Sequence, residues 1–289
     1  MPSRQKKVSI PVPGSAAVSG IYMAPDAFEA GRTPSVLLAH GAGGGLDDPM
    51  LTFVQVFLRA RGYAMLRFNF PYRECGKKVP DREEVLERTV TAAIDFLRAQ
   101  AGGGPLFIGG RSMGGRMASH LASRGSIASG LLLLAYPLHA PGRPDRVRDQ
   151  HLAAIRVPTL FVSGTRDALA PAESLAQAVG RMRNAELRWI EGGDHAFKLL
   201  KSAGRASEDV WEQVSEIAAG WLGDVVAGKR PSGTRAPAAD RVAPTPPGKA
   251  AARLKAAQNE KALVARSRAS SEKSARGGKA GAARRTKGR

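Results

Sequence analysis

The chain has 289 residues, of which 43% are hydrophobic, and a formal net charge of +19. This length and apolar content are sufficient for a buried core, and the single cysteine, Cys75, excludes an intrachain disulfide and argues against a cysteine-based metal site. The first twenty residues lack the apolar stretch of a signal peptide, and the apolar run "GLLLLAYPL" is too short to cross a bilayer. We therefore expect a cytoplasmic protein without a membrane span.

The positive charge is concentrated at the C-terminal end of the chain. Residues 229–289 hold 17 Lys and Arg against 3 Asp and Glu, a net +14, whereas the other 228 residues hold 27 against 22, a net +5. The C-terminal segment also lacks Phe, Tyr and Trp, so apolar burial cannot offset the entropy of ordering it. We expect a folded domain over residues 1–226 and a disordered Lys/Arg/Ala-rich tail over 227–289. Such a tail either contacts nucleic acid or another polyanion non-specifically or serves only as a solubilising segment.

The N-terminal part of the chain predicts the first strands and helices of an α/β domain. The stretches "KKVSIPV" and "AVSGIYMA" predict an antiparallel edge pair, and "SVLLA" at 35–39 predicts the first buried strand. A helix over Pro49–Arg61 and a strand in "YAMLRFNF" follow. Asp81, with Glu84 three residues later, predicts a capping box for the next helix.

The second half of the chain continues this alternation of short apolar runs and amphipathic stretches. Such a pattern is typical of a mostly parallel sheet with helices on both faces. The closing helix, "SEDVWEQVSEIAAGWL", is expected to end at Gly223. The segments before it are, in order, the strand "PLFIGG", the helix "MGGRMASHLAS", the strands "GLLLLAY" and "VPTLFVS", the helix "AESLAQAVGRM" and the strand "AELRWIE".

A single serine stands among four glycines in "FIGGRSMGGRMA", residues 107–118. Gly110 to Gly114 match G-x-S-x-G between a predicted strand and a predicted helix, which is the context that a nucleophile elbow requires. In such an elbow Ser112 is held in a sharp, strained turn with its hydroxyl exposed above the sheet. The alternatives are a nucleotide-binding loop and an ordinary tight turn.

A serine nucleophile needs a general base and an acid, in the chain order Ser, acid, His. Asp167 and His195 each follow a predicted strand, so both are expected at the carboxyl edge of the sheet with Ser112. Asp167 would otherwise be a turn residue that caps the next helix, and His195 a hydrogen-bonded loop residue. Asp194 and Glu191 are weaker candidates for the acid, because they flank the histidine in sequence. The histidines that precede Asp167 in the chain and so break the expected order are His120, His139 and His151.

The glycine-rich loop "HGAGGG", His40 to Gly45, follows the first buried strand and offers unhindered backbone amides. We expect the amides of Ala42 and Met113 to form an oxyanion hole. A phosphate-binding loop is the alternative, although the Lys-Ser/Thr or G-x-G-x-x-G pattern that it needs is lacking. The residues expected to contact or attract substrate are His40, which is more suited to orienting the loop, Gly43, Arg111, Arg116 and Arg73. This chemistry requires no metal and no cofactor.

Together these motifs resemble the α/β-hydrolase superfamily, and within it the dienelactone-hydrolase-like proteins. The stretches "LRFNFPYRE", "GGRSMGGRMA", "YPLHAPGRPDRVRDQHL" and "GGDHAFK" are most similar to the hydrolase-like domain of testis-expressed protein thirty, to that of a subunit of a chromatin acetyltransferase complex, and to their bacterial relatives. The resemblance covers residues 8–222 and implies an eight-stranded, mostly parallel sheet. Dienelactone hydrolases carry cysteine at the elbow, whereas this chain carries Ser112, so that particular activity is not implied.

The sequence therefore predicts a serine hydrolase that acts on a small ester, thioester or related acyl substrate. Only about 21 residues, Pro137 to Val157, lie where larger hydrolases insert a lid, so we expect a minimal lid and an open site. An acyltransferase and a peptidase use the same three residues and remain alternatives. A third alternative is a weakly catalytic or non-catalytic binding protein that retained the fold and uses its tail for docking. The oligomeric state and the substrate's identity do not follow from the sequence.

Overall fold

A computed structural model describes residues 5–125 and 128–229 of the chain. Its eight strands form one sheet in the order β1-β2-β4-β3-β5-β6-β7-β8. The first two strands pair antiparallel with each other and β2 pairs antiparallel with β4, whereas all other pairs are parallel. The predicted antiparallel edge and mostly parallel sheet are therefore confirmed. The strands are β1 (Gln5–Ile10), β2 (Val18–Met23), β3 (Ser35–Ala39), β4 (Ala64–Phe68), β5 (Leu106–Arg111), β6 (Gly130–Leu134), β7 (Thr159–Gly164) and β8 (Ala185–Ile190).

Helices cover both faces of this sheet. Helices α1 and α6 pack against each other on one face, where the rings of Phe107 from β5 and Trp221 from α6 lie 6.0 Å apart. Helices α3, α4 and α5 cover the other face. Short 3₁₀ helices occur at Gln150–Ala154 and Lys201–Ala203. The α-helices are α1 (Pro49–Arg59), α2 (Pro71–Glu74), α3 (Glu83–Ala101), α4 (Met113–Ser123), α5 (Ala172–Gly180) and α6 (Ser207–Val226).

The central strands are buried on both faces, which explains why they read as continuous apolar runs rather than alternating ones. All five residues of β3 and all five of β6 are buried. Leu37 and Ala39 belong to the core beneath α3 and α4, together with Val90 and Leu97 of α3. This double burial holds the carboxyl ends of β3, β5, β7 and β8 in a fixed arrangement, and the loops that follow these ends form the site.

Two local expectations were wrong. Helix α3 begins at Glu83 after Arg82, and no side chain caps it. Asp81 is not a helix cap, because its carboxylate instead accepts a hydrogen bond from the amide of Tyr72 (2.8 Å). Helix α6 passes through Gly223 and ends at Val226.

The predicted tail lies almost entirely outside the described residues, since only its first residues, 227–229, are within them. Its disorder and the boundary at residue 226 therefore stay predictions. Among the residues that the structure does describe, no helix combines the length and the apolar character needed to cross a membrane.

Candidate active site

The glycines around Ser112 are required by close backbone packing. A Cβ atom on Gly110 would lie 2.2 Å from the carbonyl oxygen of Ala39, and one on Gly114 would lie 2.3 Å from the same oxygen. A Cβ on Gly109 would lie 1.9 Å from the carbonyl oxygen of Leu132. The turn from β5 into α4 is therefore pressed against β3 and β6, and only residues without a side chain fit there.

Ser112 has an unusual backbone conformation at the start of α4. Its φ is 51° and its ψ is −119°, so it is one of few described non-glycine residues with positive φ. This conformation is strained for an L-residue, and strain of this kind concentrates at functional sites. The amide of Ser112 donates to the carbonyl of Leu134 (2.9 Å), which fixes the turn against β6.

The structure brings Ser112, His195 and Asp167 into one hydrogen-bonded chain. The Nε2 atom of His195 lies 2.9 Å from the hydroxyl oxygen of Ser112, and its Nδ1 atom lies 2.8 Å and 3.0 Å from the two carboxylate oxygens of Asp167. An ionised carboxylate only accepts hydrogen bonds, so Nδ1 carries the imidazole proton and Nε2 is free to accept one. The side chain of Asp167 is fully buried, and it also accepts from the amide of Leu169 (2.8 Å).

The two loops that carry Asp167 and His195 are packed against each other. A Cβ on Gly164, at the end of β7, would lie 2.1 Å from the carbonyl oxygen of Gly193. Asp194 accepts hydrogen bonds from the amides of Ala196 and Lys198 through one carboxylate oxygen, both at 2.8 Å. Asp194 therefore shapes the loop of His195, and its carboxylate does not bind the imidazole.

The glycine loop after β3 presents the peptide that was predicted to form part of an oxyanion hole. The carbonyl of Gly41 accepts from the Nδ1 of His40 (2.8 Å) and from the amide of Gly44 (2.9 Å). Because the peptide bond between Gly41 and Ala42 is trans, the N–H of Ala42 points away from the side on which the Gly41 carbonyl accepts these hydrogen bonds. In the described residues, neither the Ala42 amide nor the Met113 amide donates to another protein group, and both residues line the cleft beside Ser112.

His40 holds this loop and does not face the cleft, so its expected contact with substrate is wrong. It is 1% exposed, and its Nε2 atom accepts a hydrogen bond from the amide of Phe70 (3.2 Å). That bond fixes the tautomer in which Nδ1–H donates to Gly41. Burial lowers the pKa of His40, which keeps the ring neutral.

Tyr72 is a second support of the loop, and sequence reasoning missed it. Its hydroxyl donates to the carbonyl of Ala42 (2.7 Å), and the residue is 1% exposed. Burial raises the pKa of Tyr72 to about 12, so the phenol remains protonated and able to donate. The only signal in the sequence is an aromatic residue in "FPYRE", which does not distinguish this role from ordinary packing.

A cleft of about 630 Å³ lies over Ser112 and His195. Gly43 and Arg111 line it, whereas Arg73 does not, and the predicted contacts of Gly43 and Arg111 with substrate stay predictions. Arg111 pairs with the buried carboxylate of Asp48 (3.0 Å), so its charge is compensated within the protein. The cleft is not a simple basic pocket. Its remaining lining includes Pro80, Leu86, Pro137, Pro141, Leu169 and the charged or polar residues Glu83, Arg116, His139 and Arg148.

Among the described residues, one group of side chains has the composition of a metal site. Ligand atoms of Glu83, Glu87 and His120 lie within 4.8 Å of one another between α3 and α4. Arg116 pairs with Glu83 (2.6 Å) and Arg124 pairs with Glu87 (2.5 Å), while the Nδ1 of His120 lies 2.8 Å from both carboxylates. All three side chains are therefore engaged in ion pairs and hydrogen bonds that connect α3 with α4.

Comparison with known proteins identifies the class of protein that this fold and site define. The family described as alpha/beta hydrolase domain matches residues 32–223. The chain belongs to this family.

Three solved structures with the same fold illustrate the similarity. An alpha/beta hydrolase candidate of unknown function from Agrobacterium tumefaciens is 18% identical with a TM-score of 0.63, and the match covers 78% of this chain and 100% of that one. A dienelactone hydrolase from Anabaena variabilis is 21% identical with a TM-score of 0.61, covering 77% and 98%. A serine hydrolase without a lid from Xanthomonas campestris is 18% identical with a TM-score of 0.60, covering 76% and 96%.

Proposed function

We propose that the protein is a serine hydrolase that cleaves an ester, thioester or related acyl bond of a small molecule. The observation that carries this proposal is the hydrogen-bonded chain of Ser112, His195 and Asp167, with distances of 2.9 Å and 2.8 Å between successive groups. Its members follow β5, β8 and β7, and so meet at one edge of the sheet. Membership of the alpha/beta hydrolase family supports the same reaction class.

In the proposed reaction, Ser112 attacks the acyl carbonyl while the Nε2 of His195 takes the hydroxyl proton. The negative charge that develops on the carbonyl oxygen is stabilised by the amides of Ala42 and Met113. His195 then gives its proton to the departing alcohol or thiol, which leaves an acyl-enzyme on Ser112. Next, His195 removes a proton from a water molecule that attacks this ester and gives it to the oxygen of Ser112 as the acyl bond breaks, so the carboxylic acid is released and the serine hydroxyl is restored. Asp167 keeps His195 oriented and stabilises its charged form in both halves.

The cleft favours small substrates of varied shape. Between β6 and β7 the chain forms only one short 3₁₀ helix, Gln150–Ala154, and no lid domain. The structurally similar protein from Xanthomonas campestris is also a serine hydrolase without a lid. An acyltransferase or a peptidase would use the same acyl-enzyme with another acceptor or leaving group, so products must be identified as well as substrate loss.

The proposal is tested with a screen of short acyl esters and thioesters against the unmodified protein and the Ser112→Ala and Ser123→Ala variants. Ser123 is the matched control. It lies at the other end of α4, where its hydroxyl donates to the carbonyl of His120 (2.7 Å). We expect Ser112→Ala to lose hydrolysis by a factor on the order of 10³ or more, with unchanged folding. Hydrolysis that persists at the unmodified rate in Ser112→Ala would remove the serine from the mechanism.

We propose a separate role for the C-terminal tail as a non-specific contact for nucleic acid or another polyanion. Its net charge of +14 over residues 229–289 supports this role, because binding to phosphates would release counterions. DNA binding by the full chain and by a chain that ends at residue 228 should be titrated with salt. Equal binding by both would contradict the proposal, whereas strong, salt-sensitive binding by the full chain alone would support it.

We also propose that the protein belongs with the hydrolase-like domain of testis-expressed protein thirty and its bacterial relatives. The combination of "GRSMG" and "YPLH" supports this narrower placement. This placement does not identify a substrate. The hydrolysis screen described above also tests the alternative that the protein is a weakly catalytic or non-catalytic binding protein.

A further inference from the structure

His139, in the "YPLH" stretch after β6, is a polar side chain of the cleft that the proposed mechanism does not use. It lines the cleft together with Ser112 and His195, and it is only 7% exposed. Its backbone is tied to the acid of the proposed mechanism. The amide of His139 donates to the carbonyl of Leu169 (3.4 Å), and the amide of Leu169 donates to Asp167 (2.8 Å). This connection fixes the position of His139 relative to the reacting groups.

One ring nitrogen of His139 is engaged with protein and the other is open to the cleft. Nδ1 lies 3.0 Å from the carbonyl oxygen of Ala140. A carbonyl oxygen only accepts, so Nδ1 carries the proton, and Nε2 of the neutral ring is an acceptor. Within the described residues Nε2 has no hydrogen-bond partner, and it is not among the enclosed polar atoms that lack one. Because His139 lines the cleft and is otherwise buried, we infer that Nε2 is reached from the cleft.

We propose that His139 is a specificity-determining residue whose Nε2 accepts a hydrogen bond from a hydroxyl or N–H group on the acyl substrate. The inference rests on the proposed hydrolase function and names a feature of its substrate, a hydrogen-bond donor close to the scissile bond. His139 takes no part in the proton transfers, which belong to His195.

The physical basis is the cost of leaving the acceptor unpaired. A substrate with a donor replaces the hydrogen bond that solvent makes to an open acceptor with an equivalent one. A purely apolar substrate excludes solvent without replacing that bond, which loses binding energy. The carboxylates that also line the cleft are engaged within the protein, because Asp48 pairs with Arg111, Glu83 pairs with Arg116 and Asp81 accepts from the amide of Tyr72. A site with a placed, unpaired acceptor discriminates between a hydroxylated substrate and its deoxy analogue.

The test uses two pairs of esters that differ only in one hydroxyl group. Because the donor can lie on either side of the scissile bond, one pair varies the acyl part, 4-nitrophenyl butyrate and 4-nitrophenyl 3-hydroxybutyrate. The other pair varies the alcohol, ethyl butyrate and 2-hydroxyethyl butyrate. In each pair the measured quantity is the ratio of kcat/KM for the hydroxylated ester to that for the deoxy ester, so a general loss of activity cancels.

Two substitutions distinguish hydrogen bonding from packing. His139→Phe keeps a ring but removes the acceptor, whereas His139→Gln retains an acceptor near the position of Nε2. His139→Leu is a second apolar variant, used if His139→Phe fails to fold. In each variant, labelling of Ser112 by a fluorophosphonate verifies that the site is intact. We expect the unmodified protein to prefer the hydroxylated ester in at least one pair. That ratio should fall about tenfold in the apolar variants and stay within about threefold in His139→Gln.

The outcomes separate this inference from the proposed function. A ratio that does not change in the apolar variants, or that falls equally in His139→Gln, would overturn the role of His139 while leaving the hydrolase in place. No preference for either hydroxylated ester in the unmodified protein would overturn it as well. If the unmodified protein hydrolyses none of the four esters and Ser112 is not labelled, the proposed function itself fails and takes this inference with it.

Discussion

Gly114→Ala is the substitution whose cost follows most directly from the geometry of the elbow. The added Cβ would lie 2.3 Å and 2.5 Å from the carbonyl oxygen and carbon of Ala39, and 2.7 Å from the carbonyl oxygen of His40. All three are backbone atoms at the end of β3, so no rotamer change relieves the contact. Helix α4 and β3 would have to separate by about 1 Å, and overpacking of this kind typically costs 1–3 kcal/mol and occasionally more.

We expect a loss at the upper end of that range, about 3 kcal/mol, which lowers the Tm of a domain of this size by roughly 6–12 °C. The same shift moves the loop from His40 to Gly45, so hydrolysis should fall together with stability. Gly220→Ala is the matched control, because Gly220 lies within α6 and a Cβ there would meet nothing within 4 Å. This variant should gain about 0.5–1 kcal/mol from helix propensity. Thermal and urea unfolding measure both effects, and equal stability of the two variants would refute the close packing of the elbow.

Three further predictions concern Asp167, Tyr72 and the histidine His151, which lies beside Ser119 and His120. Asp167→Asn should lower kcat by roughly 10⁴-fold, the loss that follows when an asparagine no longer fixes the tautomer of a catalytic histidine, and near-normal turnover would contradict that role. Tyr72→Phe leaves the Ala42 carbonyl without its donor and should lower kcat about tenfold with little change in KM. Tyr63→Phe, at another buried tyrosine, is the control and should leave kcat unchanged. Equal kcat values in the two variants would mean that Tyr72 does not support the loop. Burial, with the nearby His120 and Arg116, lowers the pKa of His151 to about 4, below the value of about 6.5 in the unfolded chain. The unfolded state therefore binds more protons between these values, and the free energy of unfolding should decrease as pH falls from 6.5 to 4, less so in His151→Gln. Urea unfolding at several pH values measures this, and identical pH dependence in both proteins would contradict it.

The turn at Ser112, and the strands that precede Asp167 and His195, could be predicted from the sequence because they depend on local signals. Gly110 and Gly114 mark a turn that no other residue fits, and Asp167 and His195 each follow an apolar strand that parallel pairing brings to the same edge. The order of strands and loops along the chain is therefore sufficient to predict that these residues lie close together.

Other features depend on contacts between segments that are distant in sequence. Asp81 looked like a helix cap, but its carboxylate binds the amide of Tyr72, a partner that no local pattern indicates. The sequence predicts the end of α6 at Gly223 because glycine often ends helices, but the helix continues through this residue to Val226. The sequence predicts a contact between His40 and substrate, yet the amide of Phe70 and the carbonyl of Gly41 bind both ring nitrogens of His40.

The charges in the cleft show the same limitation. Arg111 looked available to an anionic substrate, whereas the fold places it beside Asp48, a residue 63 positions earlier in the chain. His139 precedes Asp167 in the chain and so does not fit the expected order of Ser, acid and His, but the fold places it in the lining of the cleft. Pairing of charges and access to a cleft are tertiary properties, and only the structure supplies them.

The activated state of Ser112 is the central claim, and a fluorophosphonate probe tests it most directly. The full chain and its His195→Ala variant would be incubated with the probe, and any adduct would be located by mass spectrometry. We expect rapid modification of Ser112 in the unmodified protein and little or none in the variant, because His195 must remove the hydroxyl proton. A folded, unmodified protein that remains unlabelled, or a label on Ser112 that forms equally fast without His195, would contradict the proposed mechanism.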